Sequence, residues 1–319
     1  MKKRKVHIPY PDPRPTEAVQ YKFAYQKPSY INVVGSYALK TLIKQQDGVA
    51  IDLVLTMPGS IFTDKDYLNY RYFHKRAYYL SVLAASIAGD KSTKGLKLSY
   101  EFMNDDHLRP ILVVSSGTDG SETDFKGSKC TIRIIPSTPA GQFSANKLAP
   151  SKCGIRNMQG LSGDATTQSF DATPFYNSSV ASDSTYFPYL ALLGTSSKKC
   201  EAFTDACIFG RVWLRQRGFG GSISKGGFGH FEWAILMAFL LKSGGPKGRA
   251  VLTQGYSDYQ LFKATLQFLA SRNLASSPLI INGPSELERP EQSTPVVYDG
   301  EHGVNVLFKM TASSYELVR

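Results

Sequence analysis

The segment Ile31–Pro58, INVVGSYALKTLIKQQDGVAIDLVLTMP, constrains the fold more than any other part of the chain. It holds two apolar runs of strand length. A Gly35-Ser36 pair follows the first run, and a single carboxylate, Asp52, interrupts the second. Alternate residues of a strand share a face, so Asp52 and Val54 project to the same side. The interval from Ser36 to Asp52 leaves room for a short helix and a return. The segment therefore predicts strand, turn, helix and strand, with the turn closed against Asp52.

Further strand-like runs span Tyr30 to Val34, Ala50 to Met57, Leu96 to Met103, Pro110 to Ser116 and Cys130 to Ile135, bounded by Gly, Pro, Asp and Ser clusters. Between the second and third runs, Leu68, Tyr72, Tyr79, Leu80, Leu83 and Ile87 fall near helical spacing. They predict a helix from about Asp66 to Ala88. Strands with interspersed helices make an α+β domain. Residues 136–198 are loop-rich, and helices dominate afterwards. Phe203, Ala206, Cys207, Gly210 and Leu214 form one stripe, Arg211 and Arg215 share another face, and Gly218 suits a C-cap. The run WAILMAFLL, Trp233 to Leu241, is apolar all round and predicts a buried helix. Ser257 and Gln260 form a capping box. The expected division is an extended arm over 1–29, an α+β domain over 30–184 and a mainly helical domain over 185–319. The closing VLFKMTASSYELVR holds no terminator, as though the chain continued.

Hydrophobic residues make up 42% of the chain, enough for a sizeable core. The net charge of +11 favours acidic partners, above all nucleic acid. Cys130, Cys153, Cys200 and Cys207 form no C-x-x-C pair, which predicts reduced thiols and no sulfur-bound metal. No apolar run reaches the roughly 20 residues of a membrane span, so no membrane partner is expected. The start, MKKRKVHIPYPDPRP, lacks the apolar core of a secretory signal. Its KKRK reads equally as a nuclear localisation element or a solvated basic tail. The sequon at Asn177 is read as chance.

A Gly-Ser turn against an aspartate strand is the frame of two-metal nucleotidyl transfer. Such metals lower the pKa of the attacking hydroxyl and neutralise the leaving pyrophosphate. They need carboxylate oxygens, usually Asp-x-Asp on one strand with a third carboxylate on a neighbour. Here the second position is Val54. The central polar residue of the neighbouring run CTIRIIP is Arg133, whose guanidinium would repel metals. An active, Mg-dependent RNA nucleotidyltransferase would need a further ligand such as Asp47, Glu101 or Asp124. No cofactor and no bound metal are expected.

The segments VGSYALKT, IDLVLTMP, KDYLNYRYFHKRAYYL, ATPFYNSSV, WLRQRGF, GGFGHFEWAILMAFLL and YSDYQLFKATLQFLA together resemble the nucleolar RNA-associated protein (Nrap) family. The similarity runs from about Lys27 to Leu317. It implies a nucleotidyltransferase-like (polymerase β-like) mixed sheet with helices. A mainly helical domain like the substrate-binding half of poly(A) polymerases and oligoadenylate synthetases would follow. It further implies longer family members, a catalytically silent site around Gly35, Ser36, Asp52, Val54 and Arg133, and a scaffold of the small-subunit processome in the nucleolus of the nucleus. The implied partners are pre-rRNA and the small nucleolar ribonucleoprotein, a ribosomal-RNA-processing partner protein and casein kinase 2 subunits.

Basic clusters add candidate RNA or partner contacts. In DYLNYRYFHKRAYY, tyrosines interleave with Arg71, His74, Lys75 and Arg76, which suits base stacking and phosphate contact or an amphipathic packing helix. Arg211, Arg215 and Arg217 suit an acidic partner or a solvated face. GFGGSISKGGFGHF matches no phosphate-loop order and is expected to be a flexible connection. NDDHLRP, with His107, reads as a turn between strands rather than an acid–base site. A nucleotide-sensing module that binds through Gly35-Ser36 without turnover is a third reading.

Overall fold

The strands expected in the first half all form, and they join in one mixed sheet. They are β1 (Tyr30–Val34), β2 (Val49–Thr56), β3 (Lys97–Phe102), β4 (Pro110–Ser115) and β5 (Cys130–Ser137), in the order β1-β2-β5-β4-β3. Strands β2 and β5 are parallel and the other pairs antiparallel. Strand β5 continues past Pro136 because Ser137 still pairs with Thr56, and the Met57 amide donates to the Ser137 carbonyl at 2.8 Å. The computed structural model describes residues 7–15, 21–43, 48–117, 123–156, 170–245, 248–290 and 294–319. The KKRK segment and Asp47 lie outside the described residues.

The helix after Ser36 is a single turn, α1 (Gly35–Ala38). The helix expected from Asp66 begins later, as α2 (Arg71–Gly89). Asn69 and Tyr70 adopt left-handed backbone, with φ of 52° and 62°, and that geometry cannot continue a right-handed helix. Tyr72, Tyr79 and Leu80 of the expected stripe are buried, but so are Phe73, His74, Lys75, Arg76 and Ala77. The first half of α2 is thus enclosed on every side.

Part of that enclosure comes from the arm. Tyr21, Phe23 and Tyr25 all meet side chains of α2. Tyr21 stacks on His74 with ring centroids 5.4 Å apart, Phe23 on Tyr78 at 4.8 Å, and Tyr25 lies tilted against Tyr79 at 4.8 Å. The Tyr79 hydroxyl donates to the Gln26 carbonyl at 2.9 Å, and a His74 ring nitrogen meets the Pro13 carbonyl at 3.2 Å. The described part of the arm is therefore packed within this unit.

Contacts divide the chain into two units, 1–63 with 70–139 and 64–69 with 140–319. The second contains α3 (Pro174–Ser182), α4 (Tyr186–Lys199), α5 (Phe203–Gln216), α6 (His230–Lys242), α7 (Asp258–Ser271) and α8 (Ala312–Val318). Helix α3 packs on β8 (Val304–Asn305), and α4 on α5 and α6, so both helices fall on the far side of the division from the sheet. The α5 stripe is buried as expected, Gly218 (φ 80°) follows the C-cap, and Ser257 and Gln260 close the capping box of α7. Helix α6 is buried from Glu232 to Leu240. A small sheet was not expected: β6 (Leu279–Ile281), β7 (Val297–Asp299) and β8, in that order. No helix among the described residues is long and apolar enough to cross a membrane.

Candidate functional site

The antiparallel register of β1 and β2 sets Val34 opposite Asp52, so Gly35 and Ser36 turn off directly above the carboxylate. Gly35 has φ of +74°, and a Cβ there would lie 2.9 Å from Asp52 Oδ2. Both facts favour glycine. The turn closes through the Thr41 amide donating to the Ser36 carbonyl at 2.9 Å. The expected closure of the Gly-Ser turn on Asp52 is thus present.

The parallel register of β2 and β5 sets Arg133 directly opposite Asp52. Arg133 Nε and Nη2 both lie 2.6 Å from Asp52 Oδ1. Burial pushes the Asp52 carboxyl up, while the charge and hydrogen bond of Arg133 pull it back; the net direction is upward. Val54, on the same strand face, is fully buried and brings only an apolar group. The arrangement holds one carboxylate already neutralised by one guanidinium.

The other carboxylates do not make up the deficit. Glu101 sits exposed on β3, the far edge of the sheet and three strands from β2, about 14 Å at the usual strand spacing. Asp124 accepts from the Ser116 hydroxyl and the Lys126 amide, both at 3.1 Å, and so shapes the loop after β4. Among the described residues no group of three His, Cys, Asp or Glu side chains is placed to hold a metal ion. The NDDHLRP turn joins β3 to β4, with Asp106 Oδ1 accepting from the Leu108 amide at 3.0 Å.

Two of the candidate RNA contacts are corrected. Lys75 is buried, its ammonium donating to the Ile61 carbonyl at 3.0 Å and lying 5.9 Å from the Phe62 ring centre. Arg76 is fully buried and donates to the Pro110 carbonyl. These cations serve backbone carbonyls inside the unit and cannot reach RNA. Arg71, the first residue of α2, is half-buried. In the second unit Arg215 and Arg217 are exposed and Arg211 half-buried. Burial and the neighbouring Arg215 charge push the Arg211 guanidinium down. The Arg217 guanidinium lies 4.9 Å from the centre of the Trp213 ring.

The Gly-rich loop between α5 and α6 is also corrected, from a flexible connection to a bonded one. The Gly220 and Gly227 amides donate to the Lys225 and Ser222 carbonyls, each at 2.9 Å. Lys309 Nζ lies 2.6 Å from both the Gly221 carbonyl and Glu232 Oε1, and Glu232 Oε2 accepts from the Gly229 amide at 2.9 Å. Lys309 and Glu232 lie 77 residues apart in the sequence. No local spacing links the two. All four cysteines are free.

The description Nrap protein domain 1 matches residues 1–199, and Nrap protein PAP/OAS-like domain matches residues 202–319. The chain is 38% identical to "U3 small nucleolar RNA-associated protein 22" of Saccharomyces cerevisiae, over all of this chain and 27% of that protein. It is 35% identical to the protein of that name from Schizosaccharomyces pombe, over 99% of the chain and 28% of that protein. It is 33% identical to "Nucleolar protein 6" of Homo sapiens, over 95% of the chain and 26% of that protein. The chain thus spans about a quarter of the length of these relatives. Among solved structures, the "E. coli MS115-1 CdnC:HORMA-deltaN complex" is similar at a TM-score of 0.45 and 13% identity, covering 92% of this chain and 73% of that one, too loosely to inform function. The mixed α+β sheet with its Gly-Ser turn over Asp52, followed by a PAP/OAS-like domain, is the architecture expected from the sequence. The chain belongs to the Nrap family.

Proposed function

We propose that this chain is a non-catalytic, nucleotidyltransferase-like scaffold that works in the nucleolus in assembly of the small ribosomal subunit. The observation behind the non-catalytic part is the Asp52–Arg133 pair. A two-metal centre must gather enough negative charge to hold two dications close together. Here the one strand carboxylate is spent on a guanidinium, and the position that should supply its companion is the buried Val54. In this reading Arg133, bonded to Asp52, stands where a metal would, beneath a Gly35-Ser36 turn that closely approaches the carboxylate. The frame is kept for its shape.

The relatives' names motivate the nucleolar role, and the net charge of +11 suits a ribonucleoprotein setting. In this reading the neighbours are pre-rRNA, the small nucleolar ribonucleoprotein, a ribosomal-RNA-processing partner protein and casein kinase 2 subunits. Calorimetric titration with Mn²⁺ and ATP tests the silent site. No saturable heat is expected. A site lost in Asp52→Ala would contradict the proposal. Depletion of the protein should slow maturation of the small-subunit rRNA, and unchanged maturation would contradict the nucleolar role.

A further inference from the structure

The Gly-rich loop borders an open groove of about 710 Å³ in the second unit. Its lining includes Arg217, Phe219, Ser224, Lys225, Ser313 and Leu317, and no Asp or Glu. Among the described residues neither Arg217 nor Lys225 has a carboxylate partner. Unpaired surface cations are common and usually mean only solvation. These two differ in being held. Arg217 rests against Trp213. Lys225 sits on a loop whose amides close on its own carbonyls, with the Lys309–Glu232 pair, 5% and 1% exposed, fastened beneath it. Gly227 and Gly229 seal that arrangement. A Cβ on Gly227 would lie 2.5 Å from the Lys309 carbonyl oxygen, and one on Gly229 would lie 2.3 Å from the Gly221 nitrogen. The backbone that carries Lys225 is thus fixed before a ligand arrives, so binding need not order the loop.

The side-chain chemistry of the lining is one-sided. Two cations and the serine hydroxyls donate, and no anionic acceptor is present. A phosphodiester backbone is the complementary ligand, because its phosphates present charged acceptors and no donors. An acidic peptide would bring backbone N–H groups that need acceptors. Phe219 adds an aromatic ring, which accepts any base face. Arg215, exposed at the same end of α5, extends the positive surface.

We infer that this groove binds the phosphodiester backbone of single-stranded RNA, with Arg217 and Lys225 as its two phosphate contacts. The inference rests on the ribonucleoprotein-scaffold reading and names where in the second unit RNA would lie. Fluorescence anisotropy of the 319-residue chain with labelled oligouridylate over a salt series tests it. Removing two phosphate contacts should lower the log–log salt slope by about 1.4, equivalent to ~25-fold weaker binding at about 0.1 M salt. That loss is expected for the Arg217→Gln, Lys225→Gln double variant with an unchanged melting temperature. The charge-matched Lys94→Gln, Lys97→Gln variant should bind as the parent does. Equal losses in the two variants, no loss in the groove variant, or no RNA binding by the parent chain would each overturn the inference. Poly-glutamate competing as strongly as RNA would overturn it in favour of an acidic protein segment. None of these outcomes touches the silent-site reading, which fails only on metal binding or nucleotide transfer.

Discussion

Replacing Arg133 by Met removes the cation from Asp52 while keeping most of the side-chain volume. Asp52 is 18% exposed and Arg133 35%, so the pair lies between the exposed and buried limits. Exposed pairs contribute about 0–1 kcal/mol, whereas stripping one partner from a fully buried pair costs about 3–5 kcal/mol. An intermediate cost of ~2 kcal/mol follows, or about 4–8 °C in melting temperature for a domain of this size. The pH dependence gives the sharper signature. Burial already holds the Asp52 carboxyl above its usual value, and only Arg133 pulls it back. In Arg133→Met the folded-state pKa rises further. A raised carboxyl pKa means the penalty is absent below the unfolded value, about 4, and grows as pH rises through the folded value. The stability gap between variant and parent should therefore widen from pH 4 to pH 8. Asp52→Asn added to Arg133→Met should recover most of the loss, since a neutral amide does not leave a charge unpaired. Thermal melts followed by circular dichroism at several pH values read all three proteins. An Arg133→Met variant as stable as the parent at pH 8, or a gap that does not close on acidification, would refute the reasoning.

Three further outcomes are expected. A Cβ on Gly210 would lie 2.2 Å from Trp233 Nε1, inside the buried α5–α6 contact, so Gly210→Ala should destabilise by ~1–3 kcal/mol in denaturant unfolding despite alanine's better helix propensity. Lys309→Met should cost about 3–5 kcal/mol by leaving Glu232 buried without its cation, and adding Glu232→Gln should recover part of it, again by denaturant unfolding. Burial pushes His74 below the usual histidine range, so its contribution is complete above the unfolded value, about 6.5, and is lost as pH falls through the lowered folded value; limited proteolysis of the arm should accelerate below pH 6 and do so less in His74→Gln.

Where the sequence was legible, a local period or a cap was strong. The five strands of the mixed sheet, the α5 stripe and the Ser257–Gln260 box each carry their information within a few residues. The absence of a second carboxylate was legible because strand parity places Val54 beside Asp52, and the place of Arg133 on the neighbouring strand because β5 was a recognisable strand; its direct contact with Asp52 was not read. What escaped depends on distant partners. Lys75 and Arg76 look like surface cations in a Tyr-rich helix, and only the Ile61 and Pro110 carbonyls explain their burial. Lys309 and Glu232 are joined by tertiary packing alone. Strands β6 to β8, two or three residues each, are too short for a period to be read. The late start of α2 depends on two left-handed residues, Asn69 and Tyr70, that no helical periodicity reveals.

Primer extension tests most directly the proposal that Arg133, held by Asp52, stands in place of the metals of a nucleotidyltransferase frame. The chain is incubated with Mg²⁺ or Mn²⁺, each labelled nucleoside triphosphate and an RNA primer, and the products are resolved at single-nucleotide length. The account predicts an unextended primer under every condition. Extension by the parent chain that disappears in Asp52→Ala would contradict it.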